Sequence, residues 1–218
     1  MTSIASRVEE MQQASAGRLP AEVAARFVQD QADLDAAGTP AGAATPGAAM
    51  PDGDLLDAHG KPTTLAASTA GKPAVVVFYR GAWCPYCNVA LRAYEQELVP
   101  ELEARSAALV ALSPQKPDGS LTTQETNELS YAVLSDPGNQ IAGKLGILME
   151  SSEGTLEAQR SLGLDVTAVN ADGQATLPMP TTVVVDAEGV IRWIDVHPNY
   201  TTRSEVSDIL AALDSITS

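Results

Sequence analysis

The sequence predicts an α/β protein in which helices cover both faces of a central mixed β-sheet. Two near-continuous apolar runs, at 74–79 and 107–112, are typical of strands that are buried on both sides. A helical pattern at 85–104 separates them, and this order of elements forms a right-handed crossover that joins two parallel strands. Further along, 181–195 predicts an antiparallel hairpin with Gly189 in its short turn.

The composition is that of an ordinary globular protein. The 218 residues suffice for one generous domain, and a hydrophobic content of 44% supports a buried core. A formal net charge of −15 argues against nucleic acid and anionic membranes as partners, because both require clustered Lys and Arg. Residues 1–13 lack the pattern of a signal peptide, and no stretch approaches the roughly 20 apolar residues of a membrane span. We therefore expect a cytoplasmic protein.

Two amphipathic helices are predicted at the N-terminal end, over 3–14 and 20–36. The second has Pro20 at its first turn and Gly38 after its end, as helix boundaries favour. Its apolar stripe either caps the main domain, which we prefer, or contacts a second copy, so a homodimer stays open.

The domain organisation follows from a change in composition. Residues 38–50 are rich in Gly, Ala and Pro and have no periodicity, which predicts a linker. The sequence thus divides into a helical extension at 1–37, this linker, and a domain at 51–218.

The remaining elements are predicted from shorter patterns. Pro100 lies inside the helical pattern at 85–104, where it removes a hydrogen bond, so a kink or break is expected. The other predictions are a hairpin at 54–65, a helix at 121–129, a strand at 131–135, a helix containing Ile141, Leu145 and Leu148, a helix at 154–162 and a closing helix at 204–213.

The only two cysteines, Cys84 and Cys87, follow the first apolar strand with the spacing Cys-x-x-Cys. They fall at the start of the predicted helix, where unpaired N–H groups and the helix dipole stabilise the reactive thiolate. Residues three apart share a helix face, so the two sulfurs can form a disulfide with little movement. Zinc would need two further ligands, and His59 and His197 lack zinc-finger spacing. We predict a redox dithiol with no metal and no cofactor.

The residues around the cysteines suggest how the dithiol is used. Trp83 and Tyr86 would shield the sulfurs and offer a flat apolar surface to a substrate. Arg80 is the nearest cation in the sequence and would help to hold a thiolate, or it is a solvated charge at the end of the strand. Both interpretations of Arg80 stay open at this point.

The string from Trp83 to Cys87 resembles the active site of thioredoxin-fold proteins, and Cys-Pro-Tyr-Cys is found in glutaredoxins. The wider chain, about residues 51–213, resembles the peroxiredoxin-like branch of the alkyl hydroperoxide reductase/thiol-specific antioxidant family. This resemblance implies a thioredoxin-like fold and an antioxidant role. The matching segments are Pro51-Asp52, Gly71-Lys72-Pro73, Phe78-Tyr79, Leu134-Ser135-Asp136-Pro137 and Val185 to Ile191.

The resemblance also implies a role for Pro180. In thioredoxin-like folds a cis proline precedes the strand that faces the dithiol and shapes the groove for the partner. Met179-Pro180-Thr181 matches that placement. We therefore expect a cis Pro180, with Met179 and Thr181 beside it in contact with substrate.

The chain departs from the peroxiredoxin pattern Pro-x-x-x-Thr/Ser-x-x-Cys. This pattern places the attacking, or peroxidatic, cysteine at Cys87, and then Arg80 and Cys84 stand where the family has Pro and Thr. The arginine that orients peroxide in the family would fall at or near Pro180 and is absent there. Phe78 occupies the place of the buried aspartate of thioredoxins.

Three functions follow from these observations. The first interpretation is a dithiol–disulfide oxidoreductase in which Cys84 attacks the substrate. Cys87 is then the resolving cysteine, which attacks the modified Cys84 and forms the disulfide between the two. The second is a thiol peroxidase in which Cys87 attacks hydrogen or alkyl peroxides and Cys84 resolves. The third is a redox-sensing interaction module that acts through the N-terminal helices. The expected partners are a disulfide or peroxide substrate and a thiol reductant, namely thioredoxin, glutaredoxin or a low-molecular-weight thiol.

Overall fold

The computed structural model describes residues 2–216 and has a seven-stranded mixed sheet at its centre. In chain order the strands are β1 (Leu55–Leu56), β2 (Pro62–Thr63), β3 (Ala74–Phe78), β4 (Ala108–Ser113), β5 (Ala132–Ser135), β6 (Leu148–Met149), β7 (Leu177–Pro178), β8 (Thr181–Val185) and β9 (Ile191–Val196). The helices are α1 (Ile4–Ser15), α2 (Ala21–Ala37), α3 (Leu65–Thr69), α4 (Pro85–Ala93), α5 (Val99–Ala104), α6 (Pro117–Thr126), α7 (Gln140–Lys144), α8 (Glu153–Ser161), α9 (Val166–Val169) and α10 (Val206–Asp214).

The strand order in the central sheet is β2-β1-β5-β4-β3-β8-β9. β3, β4 and β5 are parallel, while β8 runs antiparallel to β3 and pairs with β9 as the predicted hairpin. This arrangement is a thioredoxin-like fold, so the predicted fold class is confirmed. β6 and β7 form a separate two-stranded sheet. The sequence did not predict it, because strands of two residues are too short to show a periodicity.

β3 is the strand that carries the functional region, and all five of its residues are buried. Its side chains alternate between two apolar clusters, with Val75 and Val77 in one and Val76 and Phe78 in the other. This alternation is the two-residue period of a strand that helices cover on both faces. The rigid strand therefore fixes where the cysteine segment begins.

The helix that follows the cysteines is interrupted before Pro100, as the sequence predicted. α4 gives way to a π-helical turn over Tyr94–Leu98, and α5 then begins at Val99. Pro100 thus lies in the first turn of a new helix, where its missing N–H is not needed.

Both predicted N-terminal helices are present and pack on the rest of the chain. Ile4 and Val8 of α1 belong to the buried cluster that contains both cysteines. The Glu205 carboxylate accepts hydrogen bonds at the start of α1, from the amide of Ile4 at 2.8 Å and of Ala5 at 2.9 Å. α2 packs against α8. Val28, one member of the predicted apolar stripe of α2, is nevertheless 65% exposed.

Residues 38–50, predicted to be a linker, lie against the main domain. Backbone amides of Ala44 and Gly47 each donate to a carbonyl of the domain, those of Leu145 and Ile191, at 2.8 Å. Small side chains from this segment pack on the second apolar cluster. The division at 37 and 50 stays a prediction about domain organisation.

Two other elements differ from their predictions. The helix predicted at 121–129 begins earlier, because Pro117 is well suited to a first helical turn. Leu148, assigned to a helix with Ile141, instead begins β6, since Gly146 adopts φ +70° and ends the preceding helix. No helix within residues 2–216 is both long and apolar enough to cross a membrane.

Candidate active site

The segment between β3 and α4 is held by hydrogen bonds from two neighbouring elements. The Ala82 amide donates to Oε1 of Gln115 at 2.8 Å, and the Ala82 carbonyl accepts from Nδ2 of Asn88 at 2.9 Å. Cys84 forms the N-terminal boundary of α4, and Cys87 lies in its first turn. Both cysteines are reduced and fully buried. They lie at the junction between a strand and a helix, where the sequence predicted them.

Gly81 is required by this turn, and we predict a large stability cost for Gly81→Ala. Its φ of +149° is one that side chains rarely adopt, and a Cβ would lie 2.5 Å from Nε1 of Trp83. We expect a loss of about 1–3 kcal/mol in the free energy of unfolding, measured with urea. Gly173→Ala is the matched control, because Gly173 also has positive φ but no neighbour within 4 Å. Equal losses at both positions would contradict a steric role for Trp83.

Arg203, which the sequence analysis did not identify, contacts both sulfurs. Its Nη2 lies 3.0 Å from Sγ of Cys87 and 3.9 Å from Sγ of Cys84. Nη1 donates to the carbonyl oxygens of Tyr200 and Thr202 at 2.8 and 2.5 Å, so the guanidinium is fixed. The expected peroxide-orienting position, at or near Pro180, has no arginine, and Arg203 supplies the positive charge from the segment before α10.

The surroundings shift the pKa values of the two thiols in opposite directions. Burial by itself raises the pKa of Cys87, but three effects outweigh it: the hydrogen bond from Cys84, the charge of Arg203, and the amide and charge of Arg80. The result is a pKa for Cys87 of about 5. Burial raises the pKa of Cys84 well above its usual value, and the hydrogen bond to Cys87 raises it further. At neutral pH the pair is therefore a Cys87 thiolate beside a protonated Cys84.

A polar network holds the segment that carries Arg203. The buried hydroxyl of Tyr94 donates to the Ser204 carbonyl at 2.8 Å, and Oγ of Ser204 donates to Oδ2 of Asp195, also at 2.8 Å. Nε2 of His197 lies 2.9 Å from the same Asp195 oxygen. The hydrogen bond from His197 lowers the pKa of Asp195. This network positions Arg203 without touching the sulfurs.

Arg80 is buried, so the interpretation as a solvated charge is wrong. It is only 4% exposed, and its guanidinium lies 4.9 Å from the ring centre of Trp83 and 4.1 Å from that of Tyr200. Contacts of this kind stabilise a cation by its attraction to aromatic faces. The charge of Arg80 lowers the pKa of both cysteines.

A cavity of about 490 Å³ opens beside Cys84. Trp83 and Tyr86 line it, whereas Cys87 does not. The other lining residues are mostly apolar. They come from α2 and the turn before it, the segment from β3 to the start of α4, α8 and the turn after it, and the segment before α10: Leu19, Phe27, Gln31, Arg80, Pro85, Gln159, Leu162, Gly163, Leu164 and Tyr200. The arrangement gives a small molecule a place next to Cys84.

Pro180 has a trans peptide bond, so the expected cis isomer is wrong. The Met179 amide donates to the Ile147 carbonyl at 2.8 Å, and the Pro180 carbonyl accepts from the His197 amide at 2.9 Å. The chain is thus paired on both sides of this bond in an extended path, which a trans peptide fits. Met179 and Thr181, proposed to contact substrate, are buried, with Oγ1 of Thr181 donating to the Met179 carbonyl at 2.9 Å, and neither lines the cavity.

A reduced cysteine pair at the start of the helix after the central strand, on this sheet, defines a thioredoxin-like oxidoreductase of the α/β class. The sequence matches the AhpC/TSA family over residues 46–194, more than half of its length. The chain belongs to that family, and it is an enzyme of the oxidoreductase class.

The chain is similar to several proteins with peroxiredoxin names. Peroxiredoxin Q, chloroplastic, from Populus jackii is 26% identical over 170 residues, which are 78% of this chain and 68% of that protein. The structure of peroxidoxin BcpB from Mycobacterium tuberculosis is 21% identical with a TM-score of 0.60, over 79% of this chain and 98% of that one. A peroxiredoxin-like protein from Aquifex aeolicus has a TM-score of 0.62 at 11% identity, over 80% and 88% of the two chains. These structures share the fold.

Proposed function

We propose that this enzyme is a thiol peroxidase in which Cys87 attacks the peroxide and Cys84 resolves. The observation that carries the proposal is the 3.0 Å contact between Nη2 of Arg203 and Sγ of Cys87. A thiolate is the nucleophile in peroxide reduction, and a fixed cation maintains that thiolate at neutral pH. Membership of the AhpC/TSA family and the similarity to Peroxiredoxin Q support the same function. Of the functions considered from the sequence, the peroxidase is thus favoured over general disulfide exchange.

The proposed reaction has three steps. The Cys87 thiolate attacks one peroxide oxygen, the O–O bond breaks, and the departing oxygen takes up a proton as water or alcohol, which leaves Cys87 as a sulfenic acid. The sulfur of Cys84 then attacks Cys87, forms the disulfide and releases water. Two thiol equivalents of a reductant restore the dithiol.

Cys84 stands where the family pattern has threonine, and a cysteine at this position can serve two steps of the cycle. Its raised pKa keeps the thiol protonated, so it donates a hydrogen bond to the Cys87 thiolate during the first step. It then lies within the same helical turn as the oxidised sulfur. The cycle requires a reducing compartment, and we propose the cytoplasm.

One observation favours a second candidate function. Cys84, and not Cys87, lines the open cavity, together with Trp83 and Tyr86. A disulfide substrate would meet Cys84 first, as in a dithiol–disulfide oxidoreductase that uses Cys84 as the attacking group. In the peroxidase, the same access serves the reductant instead.

The experiment that separates the two candidates traps the first oxidised species. Reduced Cys84→Ser and Cys87→Ser variants are mixed with substoichiometric hydrogen peroxide and dimedone, and the labelled cysteine is identified by mass spectrometry. We expect sulfenic acid on Cys87 in the Cys84→Ser variant. Reduced wild-type enzyme is mixed with insulin in parallel. Rapid insulin reduction without sulfenic acid on Cys87 would overturn the peroxidase in favour of disulfide exchange.

A further inference from the structure

The cavity beside Cys84 is formed partly by segments of the chain outside the family match at 46–194. α2 and the turn before it contribute Leu19, Phe27 and Gln31, and the segment after β9 contributes Tyr200. Cys84 and Arg80 form the wall next to the helix start. A volume of about 490 Å³ is within the range that small-molecule sites occupy.

Arg80 has no acidic partner among residues 2–216, although the chain has 28 acidic residues against 13 basic ones. Its guanidinium makes ring contacts with Trp83 and Tyr200, and within the described residues its Nε has no hydrogen-bond acceptor. The cavity wall contains no carboxylate. In the reduced enzyme the Cys87 thiolate offsets the charge of Arg80, but in the disulfide form it does not. Burying a cation without a counterion is unfavourable, so the oxidised site has a charge that an anionic ligand can satisfy.

Gln159 supplies a second polar group in the same wall. It is 5% exposed, and its Oε1 has no donor within the described part of the chain. A ligand that suits the cavity would therefore combine an anionic group for Arg80 with an apolar stem, and a hydrogen-bond donor would suit Gln159. It would also place its reactive atom next to Cys84.

We propose that this cavity binds the reductant of the cycle, a low-molecular-weight thiol that carries a carboxylate, with the carboxylate on Arg80 and the sulfur against Cys84. The inference rests on the proposed function, because it names the reductant of that reaction. α2 covers the site, with Oδ1 of Asp30 accepting from Oγ1 of Thr155 at 2.9 Å. A small thiol requires side chains to move aside from the buried sulfur, whereas a folded protein would have to displace α2.

The exchange balances with two molecules of thiol. The thiolate of the first attacks Sγ of Cys84 in the Cys84–Cys87 disulfide, and the S–S bond breaks with Cys87 leaving as the thiolate next to Arg203. This leaves Cys84 in a mixed disulfide with the thiol. A second thiolate attacks the sulfur of the bound thiol and releases its symmetrical disulfide, while Cys84 takes up a proton. Two thiols are oxidised and one protein disulfide is reduced.

The test compares three small thiols on the oxidised wild-type enzyme: 3-mercaptopropionate, 2-mercaptoethanol and cysteamine, which carry a carboxylate, a hydroxyl and an ammonium group. Rates of disulfide reduction are measured at equal thiolate concentration and divided by the rate of each thiol with a small uncharged disulfide, because a more basic thiolate is intrinsically more nucleophilic. We expect 3-mercaptopropionate to react about tenfold faster than cysteamine, as a charged hydrogen bond to Arg80 would give. The net charge of −15 would by itself produce the reverse order, so the comparison is decisive. A faster reaction with cysteamine would overturn the inference.

A charge at the cavity rim gives a second measurement. Leu162 lines the cavity and is 46% exposed, so we expect Leu162→Glu to slow 3-mercaptopropionate about tenfold and to leave 2-mercaptoethanol unchanged. Val28→Glu is the matched control, because Val28 is 65% exposed and does not line the cavity. Saturable reduction by thioredoxin that Leu162→Glu does not alter would overturn the proposal.

The oxidative step is measured separately in the same proteins. If the reduced enzyme does not react with peroxide but 3-mercaptopropionate still reduces the disulfide fastest, the peroxidase is rejected and the thiol site stands. If the enzyme reacts with peroxide but shows no preference for 3-mercaptopropionate, only the thiol site is rejected. If Leu162→Glu slows only the reaction with a hydroperoxide that carries a carboxylate, the cavity is a peroxide site and the inference fails.

Discussion

Replacing Cys87 with serine is expected to lower the rate of peroxide consumption by at least about a thousandfold, because it removes the attacking thiolate. Cys84→Ser should behave differently. A serine hydroxyl can donate the hydrogen bond that the Cys84 thiol gives to Cys87. The first attack should therefore stay within about threefold of wild type, since that bond is only one of several groups that stabilise the thiolate. Turnover should stop after one equivalent of peroxide, because no resolving thiol remains.

The measurement is stopped-flow tryptophan fluorescence on the reduced proteins, with one equivalent and then an excess of hydrogen peroxide. Trp83 lines the cavity beside Cys84 and is placed to report oxidation. Circular dichroism checks that both variants are folded. If the Cys87→Ser variant keeps the fast phase and Cys84→Ser loses it, the roles of the two cysteines are reversed, and the interpretation with Cys84 as the attacking group is correct.

Replacing Arg203 with methionine is expected to raise the pKa of Cys87 from about 5 toward the ordinary thiol value of about 8.5. A smaller fraction of the thiol would then be ionised at pH 7, so the rate with peroxide should fall, by about 30-fold where the pKa reaches that value. The wild-type rate should fall only below about pH 5, while the rate of the variant should keep rising to about pH 8.5. Thiolate absorbance at 240 nm against pH gives both pKa values.

The same shift predicts how stability depends on pH. Between about pH 5 and 8.5 the folded protein holds Cys87 as a thiolate while the unfolded chain holds it as a thiol, so the unfolded state binds more protons. The free energy of unfolding of the reduced enzyme should therefore rise with pH across this window, and the part contributed by Cys87 is lost as pH falls through about 5. Arg203→Met should flatten this dependence.

Arg192→Met is the control for removing a positive charge. Arg192 is about half exposed and pairs with Asp186, in the turn between β8 and β9. Arg203→Lys tests geometry, because lysine keeps the charge but cannot donate to both the Tyr200 and Thr202 carbonyls while contacting the sulfurs. If the pKa of Cys87 is unchanged in Arg203→Met, Arg80 and the start of the helix are sufficient to lower that pKa, and Arg203 is not required.

The parts of the site that lie close together in the chain could be predicted from the sequence. Local geometry determines where the cysteines lie, because only a few residues separate the end of β3 from the start of α4. These residues include the turn at Gly81 and Cys84, and Cys87 follows in the first turn of the helix. The interruption of the helix before Pro100 belongs to the same group, because proline acts on its own helical turn.

Arg203 could not be predicted, since it lies 116 residues from Cys87 along the chain and no motif marks its position. Its placement depends on the Tyr94 hydroxyl, on Asp195 and on the docking of α1 against Glu205. The family pattern pointed to Pro180 instead, and the extended pairing around that residue gave a trans peptide and buried neighbours.

By itself, the sequence determined that this protein is an α/β fold with a redox dithiol at the start of a helix, because periodicity and spacing are properties of neighbouring residues. Only the tertiary structure showed that the surroundings lower the pKa of Cys87 and raise that of Cys84. The pKa of a buried thiol depends on charges within a few ångströms. Arg203 contacts Cys87 from 116 residues away in the chain, and Arg80 acts on it from the segment just before the cysteines. The same packing placed α2 over Cys84 and formed the cavity around Arg80.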